Sequence, residues 1–244
     1  MLKMVFKDKN DLESQLINFR VDFAYNSNRI ENENTTYHDI REVFENGKVV
    51  GFNGDLKTLN EIHNQKNCYN FLLEKIVNRD SLSVALIKEI HKKLTNGTYD
   101  EVRYSKGERP GEFKKGDYIV GKNEVGSKAN IVENEIEELL DEINNSNSDD
   151  YLTIASYMHC RFENIHPFAD GNGRVGRTIL NYYLMINGIK PLVIYDEDKK
   201  YYYECLQKYD EEEEIEPLKK FLEYSQEKTW KNKSKNYKKL LSFL

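Results

Sequence analysis

Apolar residues recur at three- and four-residue spacing along almost the whole chain, and residues 103–129 are the one long stretch that breaks the rhythm. A pattern of that period requires packed helices. Only four prolines occur, and Pro110, Pro167 and Pro191 fall where the pattern changes. The spacing predicts a helix over 10–31, with Leu12, Leu16, Phe19 and Phe23 on one face. A second over 37–46 stops at Asn46-Gly47. The longest runs over 56–78 and turns Leu59, Ile62, Tyr69, Leu72, Leu73 and Ile76 inward. Ser83 caps Val84–Leu94, and Asn96-Gly97 closes that helix. Further helices are predicted over 130–144, 150–164, 198–209 and 215–240. Within 103–129, Phe113 and Asp117–Val120 are β-prone pieces around Lys114–Gly116, which predicts a hairpin. The expected fold class is all-α with one small β-hairpin.

Composition narrows the setting. No run approaches the roughly 18 apolar residues of a membrane span, so no membrane partner is expected. The first residues, MLKMVFKDKNDLES, carry neither an apolar h-region nor a cleavage site, which points to the cytoplasm. Charged residues make up 32% and the net charge is -6, which argues against nucleic acid as a partner. Cys68, Cys160 and Cys205 show no metal-like spacing and are expected as buried thiols. The acidic run Asp210–Glu214 and the lysine-rich tail from Lys228 to Lys239 read as a solvated turn and a solvated helix face, with a partner-docking tail as the alternative.

One segment is different in kind: Ile165-His166-Pro167-Phe168-Ala169-Asp170-Gly171-Asn172-Gly173-Arg174-Val175-Gly176-Arg177. An apolar-periodic helix precedes it, and another follows with Ile179, Leu180, Tyr183, Leu184 and Ile186. Gly171 and Gly173 let the backbone turn tightly and approach a ligand. The second helix begins near Gly173, where unpaired amides and the helix dipole favour an anion. Arg174 and Arg177 are three apart, hence neighbours on one face, and two guanidiniums there suit a polyphosphate. Asp170 is a lone carboxylate beside them, suited to Mg²⁺ completed by phosphate oxygens. His166 has a side chain whose free pKa sits near neutrality, so it can take a proton from an attacking hydroxyl. Together they make a kit for phosphoryl-type transfer.

His166 to Arg177 resembles the Fic motif, HxFx(D/E)GNGRxxR, at every defined position. The likeness extends over about 85–225. Ile87–Leu94 resembles the family's helix before the hairpin, and Gly111-Glu112-Phe113-Lys114 with Asp117–Gly121 its flap, with Lys114 where Arg is common. Tyr202–Leu206 and Ile215–Leu218 resemble its closing helices. The resemblance implies a protein adenylyltransferase that moves AMP from ATP to a Ser, Thr or Tyr hydroxyl. It implies His166 as base, Asp170 on Mg²⁺, and Gly171, Asn172 and Gly173 as a phosphate cradle. Arg174 and Arg177 would hold the β- and γ-phosphates, and the flap over 111–121 would pin the target segment. Tyr203 is either a wall of the adenine pocket or a core aromatic. The implied division is N-terminal helices over 1–80, a Fic core over 81–225 and a basic helical tail over 226–244. Such chains often form homodimers, although no residue pattern here marks an interface.

Ser27-Asn28-Arg29-Ile30-Glu31-Asn32 resembles the family's inhibitory motif, (S/T)xxxE(G/N), in the subgroup that carries it before the core. That places an inhibitory helix at about 24–32. Glu31 ends a helix, where a carboxylate meets the negative end of the dipole, so a cationic partner is expected. The resemblance makes that partner Arg177 and makes Ser27 and Glu31 regulatory. Other readings follow from the same family. Glu31 could position water for removal of AMP, and UMP or another phosphate-containing group could be transferred. Kinase-like Doc relatives depart from Gly171-Asn172-Gly173-Arg174 and lack the second arginine, which this chain keeps. A degenerate nucleotide-binding module would be expected to lose His166 or Asp170, and both are present.

Overall fold

The computed structural model describes residues 2–120, 124–146 and 148–241, with the backbone alone for 119–120, 124–125 and 232–241. Helices α1 (Lys9–Leu16), α2 (Phe19–Glu31), α3 (Tyr37–Asn46), α4 (Leu56–Asn78) and α5 (Val84–Thr95) come first. A short α6 (Glu101–Ser105) leads to strands β1 (Ile119–Val120) and β2 (Glu124–Val125). Then follow α7 (Val132–Asn144), α8 (Tyr151–Ile165), α9 (Asn172–Ile186), α10 (Lys199–Glu212) and α11 (Glu216–Leu241). The fold is all-α, and no helix of the described residues is long and apolar enough to cross a membrane.

Local chemistry explains most helix starts. The side chains of Asp8, Thr36, Asp55, Ser83 and Asp150 each accept the amide three residues on, at the heads of α1, α3, α4, α5 and α8. Helix α9 starts differently, on Gly171 in the left-handed region with no side-chain cap. Its first amides are thus not claimed by a cap.

Three expectations need correction. The helix expected over 10–31 is two helices, broken at Ile17-Asn18. Both Leu16 and Phe19 are core residues, and the break lets α1 pack on α4 while α2 packs on α3, α4 and α9. The hairpin lies later than expected. Ile119 pairs with Val125 and Val120 with Glu124, whereas residues 113–118 are unpaired. Their amides have other partners: Lys114 N–H donates to the Pro167 carbonyl at 2.9 Å and Lys115 N–H to the Glu108 carboxylate at 2.8 Å. Gly121, the last residue of the expected flap, lies outside the described residues. Finally, Lys228 is not a solvated lysine, because it bonds Glu197 and Asp198 at 2.6 Å each. The side chains of the tail beyond residue 231 lie outside those described.

The main hydrophobic core draws on every long helix except α3, whose Ile40, Val43 and Phe44 form a second cluster with Val21, Ala24 and Ile62. Leu12, Leu16 and Phe19 share the main core with Leu72, Ile90, Met158, Phe162, Ile179 and Leu218. Helices α8 and α9 pack extensively on each other, so the loop between them is held at both ends. Cys68, Cys160 and Cys205 are buried free thiols.

Candidate active site

The site grows from that loop. His166 closes α8 in the left-handed region (φ 51°), where its amide donates to the Phe162 carbonyl at 3.0 Å. Pro167 follows and cannot extend the helix. Phe168 then turns into the core, stacked on His91 at 3.7 Å. Asn172 closes the loop across itself: its Oδ1 accepts from Phe168 N–H at 2.8 Å, and its Nδ2 donates to the Phe168 carbonyl at 2.7 Å. Its side chain is therefore committed to the loop, and what it offers an anion is its amide. The first bond within α9 runs from Val175 N–H to Gly171 O, which leaves the amides of Asn172, Gly173 and Arg174 without helical partners. Gly171 is required twice: φ is 83°, and a Cβ would stand 2.7 Å from Thr95 Cγ2.

The two arginines are buried and both are paired with carboxylates from the N-terminal helices. Arg177 NH2 donates to Glu31 Oε1 at 2.8 Å and to the Ser27 carbonyl at 2.9 Å, while its Nε donates to Ser27 Oγ at 3.2 Å. A Cβ on Gly173 would lie 2.4 Å from Glu31 Oε1. The Glu31 carboxylate thus rests against the head of α9, where an anion is favoured. Arg174 NH1 donates to Glu61 Oε1 at 2.9 Å, and its NH2 lies 3.6 Å from Asp170 Oδ1. Arg103 stands 3.3 Å from the other Asp170 oxygen.

His91, absent from the sequence-derived site, organises the same loop. Its Nδ1 accepts from Gly111 N–H at 2.8 Å, so its Nε2 carries the proton and donates to the Asp170 carbonyl at 3.0 Å. It therefore joins α5, the start of the flap and the carboxylate-bearing turn. The flap also meets the loop through Ser127 N–H, which donates to the Ile165 carbonyl at 3.0 Å. Gly126 lets that contact form, since a Cβ there would lie 2.6 Å from His166 Cβ and 3.3 Å from Lys114 Nζ. Burial, with the Lys114 ammonium nearby, pulls the His166 ring down to about 4, so it is neutral at physiological pH. The Lys114 ammonium is itself buried without a hydrogen-bond partner among the described residues.

Behind Arg177 lies a second polar group. His159 Nε2 meets the Tyr202 hydroxyl at 2.8 Å, and Glu163 faces Gly176 so closely that a Cβ there would lie 2.1 Å from its Oε1. Tyr202 is the core aromatic of this region; Tyr203 is 46% exposed beside it and is not a core residue. No cluster of three or more His, Cys, Asp or Glu able to hold a metal occurs among the described residues. Asp170 alone does not make a protein-only metal site. One carboxylate beside unclaimed amides and arginines does fit Mg²⁺ brought in with phosphate oxygens.

Fold and site together define a helical domain built around a helix–loop–helix with uncapped amides at the head of α9 and a histidine at its entry. Residues 81–184, somewhat under half of the chain, match the Fic/DOC family. The protein adenylyltransferase Fic of Drosophila mojavensis is 29% identical over 210 residues, which is 84% of this chain and 39% of that protein. Protein adenylyltransferase fic-1 of Caenorhabditis elegans is 26% identical over 191 residues, 75% of this chain and 35% of that protein. The chain thus spans well under half the length of these curated relatives. Among solved structures, a Fic domain containing signaling protein from Bacteroides thetaiotaomicron superposes with a TM-score of 0.79 at 24% identity, over 90% of this chain and 88% of that one. Fic-1 (residues 134–508) of C. elegans gives 0.78 at 20% identity, over 93% and 67%. At these identities the structural likeness carries the fold.

Proposed function

We propose that this chain transfers AMP from ATP to a Ser, Thr or Tyr hydroxyl of a target protein and that Glu31 holds the reaction back. The observation that carries the reading is the place of the Glu31 carboxylate, on Arg177 and against Gly173. A triphosphate needs both of those features. The site residues fit the chemistry in order. Neutral His166 accepts the hydroxyl proton as the oxygen forms its bond to the α-phosphorus. The bond from that phosphorus to the bridging oxygen breaks, and pyrophosphate leaves with the electron pair. The amides of Gly171, Asn172 and Gly173, with Arg174 and a released Arg177, hold the phosphates in line. Mg²⁺ on Asp170 and phosphate oxygens would offset charge on the leaving group. Tyr203, half exposed beside the Arg177 group, suits a wall for the base. The flap over 111–121 suits a target strand bound through its backbone.

A second reading rests on one further detail. Glu31 uses Oε1 for Arg177, which leaves Oε2 outside that contact, and the Glu31 side chain is 34% exposed. That oxygen could orient a water toward the phosphorus of an AMP-modified side chain, giving the reverse reaction. Incubation with labelled ATP, wild type against Glu31→Gly, tests the first reading: strong labelling by the variant and little by wild type is expected. Release of AMP from a modified target, followed by mass spectrometry and lost in Glu31→Gly, would mark the second. No labelling by either protein over a range of target extracts would reject transfer.

A further inference from the structure

Helix α4 carries Thr58, Glu61 and Gln65 at helical spacing, and all three are buried. A buried polar stripe needs partners, and here they come from α2 and α9. Asn32, the residue after Glu31, donates through Nδ2 to Glu61 Oε2 at 2.7 Å and to Thr58 Oγ1 at 3.0 Å. Gln65 Nε2 donates to Asn28 Oδ1 at 2.8 Å. Thr58 is fixed in turn by Asp55, which accepts from its hydroxyl and its amide at 2.8 Å each. Glu61 Oε1 receives Arg174 NH1 at 2.9 Å, and the two side chains are 4% and 3% exposed.

The way Glu61 holds Arg174 leaves part of the guanidinium free. NH1 is taken. Among the described residues Nε is buried without a hydrogen-bond partner, and NH2 makes a 3.6 Å approach to Asp170. Nε and NH2 form one side of the planar fork, the two-donor edge that matches a phosphate bidentately. Arg177 differs, since both its Nε and its NH2 are bonded to the α2 residues Ser27 and Glu31. A well-packed apolar pair would stabilise the fold as well as a buried ion pair does. The pair at Glu61 is therefore better explained by what it does to Arg174.

We propose that Glu61 is a positioning residue for Arg174, and that Asn32 ties its setting to the helix end that carries Glu31. One end of α2 then governs both phosphate-facing arginines: Arg177 directly through Glu31, and Arg174 through Asn32 and Glu61. Pinning NH1 keeps the Nε/NH2 edge unclaimed and fixed in place, which lowers the ordering cost when a phosphate binds. This inference rests on the adenylyl-transfer reading.

The test is made in the full chain carrying Glu31→Gly, with ATP and Mg²⁺. Glu61→Gln keeps the shape and removes the charge. Its KM for ATP should rise about tenfold while kcat stays within about threefold, because uniform phosphate binding is what is lost. Asn32→Ala should move KM in the same direction by about threefold, since it loosens Glu61 without touching Arg174. Calorimetry should show that Glu61→Gln adds nothing to Arg174→Ala, as expected of residues that act through one another. A purely structural Glu61 would lower the melting temperature and leave the KM-to-kcat split and that non-additivity absent. Unchanged KM in Glu61→Gln overturns the proposal, as does tighter ATP binding, which would make Glu61 a second brake. If Glu61→Gln does not fold, an unchanged KM in Asn32→Ala overturns it alone. Should the Glu31→Gly parent neither bind nor transfer from ATP, the adenylyl-transfer reading itself falls, and the positioning role falls with it.

Discussion

Arg177 and Glu31 meet at 2.8 Å although 146 residues separate them in sequence, and the arginine side of the pair is 2% exposed. Ser27 completes the grip by accepting from Nε through its hydroxyl. Removing that hydroxyl leaves the carboxylate and the Ser27 carbonyl in place but strands a buried donor, at roughly 1–3 kcal/mol. Ser27→Ala should therefore release transfer only in part, to a level between wild type and Glu31→Gly with labelled ATP. Arg177→Ala should release nothing, because it removes the phosphate clamp together with the lock. Full activity in Arg177→Ala would show that Glu31 acts elsewhere.

The base should reveal itself by pH as well as by deletion. His166→Ala in the Glu31→Gly chain should lose about 10²–10⁴ in rate, the usual worth of a general base, with ATP binding retained. The acid limb of kcat/KM should lie near pH 4, since burial and then Lys114 pull His166 down to about 4. Lys114→Met removes one of those causes, so the limb should move to higher pH. A limb that stays put in Lys114→Met, measured from pH 4 to 8, would mean that the ammonium does not act on the ring.

The sequence made the helices readable because their apolar periods and caps are local, as at Ser83 and Gly47. It made the α8–α9 loop readable because His166 to Arg177 is contiguous, and Glu31 readable only through a family likeness. What it hid was set by tertiary partners. Glu61 looks like any polar residue of a long helix until Arg174 and Asn32 are brought to it. His91 looks like a core histidine until Gly111 and Asp170 fix its tautomer. The hairpin was misplaced because the bonds that keep 113–118 out of a ladder run to Pro167 and Glu108, both outside that stretch. The break at Ile17-Asn18 carries no glycine or proline and follows from packing Leu16 and Phe19 into one core.

Asp170 should govern the metal response of nucleotide binding. It is the one carboxylate within the loop, and its two oxygens are approached by arginines at 3.3 and 3.6 Å. Asp170→Asn should remove the difference in ATP affinity between buffer with Mg²⁺ and buffer with chelator, measured by calorimetry in the Glu31→Gly chain. A preserved Mg²⁺ effect would move the metal ligand to another residue.

Gly176 is a stability test of the polar group behind Arg177. An alanine in a helix is ordinarily favoured over glycine by about 1 kcal/mol. Here its methyl would stand 2.1 Å from Glu163 Oε1 and 3.1 Å from His159 Cε1, both confined. Overpacking of that kind costs about 1–3 kcal/mol, so Gly176→Ala should be destabilised in urea unfolding despite the helix preference. A more stable variant would show that Glu163 has room to swing away.

The buried titratable groups fix the pH range over which the fold is strongest. Burial pulls His91 down to about 4, His159 to about 3 with help from Arg177, and His166 to about 4. Each is neutral in the folded chain across the range in which an unfolded histidine, near 6.5, takes up a proton. The unfolded state therefore binds more protons below about pH 6.5, and stability falls as pH drops through that window toward 4. Glu163 works in the opposite sense. Burial pushes it up to about 8, with Glu31 and Asp210 acting the same way against Arg177. It stays protonated in the fold where an unfolded glutamate ionises above about 4.3, so its contribution is full at low pH and is lost as pH rises toward 8. Each proton difference is worth about 1.4 kcal/mol per pH unit. Below about pH 6.8 the three histidines outweigh the one glutamate, because three unfolded imidazoles still hold about 1.5 protons between them at pH 6.5, and above that the glutamate outweighs them. Urea unfolding should therefore find a stability maximum near pH 7 in wild type. Glu163→Gln, neutral at every pH, should keep the acid limb and lose the decline between pH 7 and 8. The same decline in both proteins would mean that Glu163 is ionised in the fold, held so by Arg177.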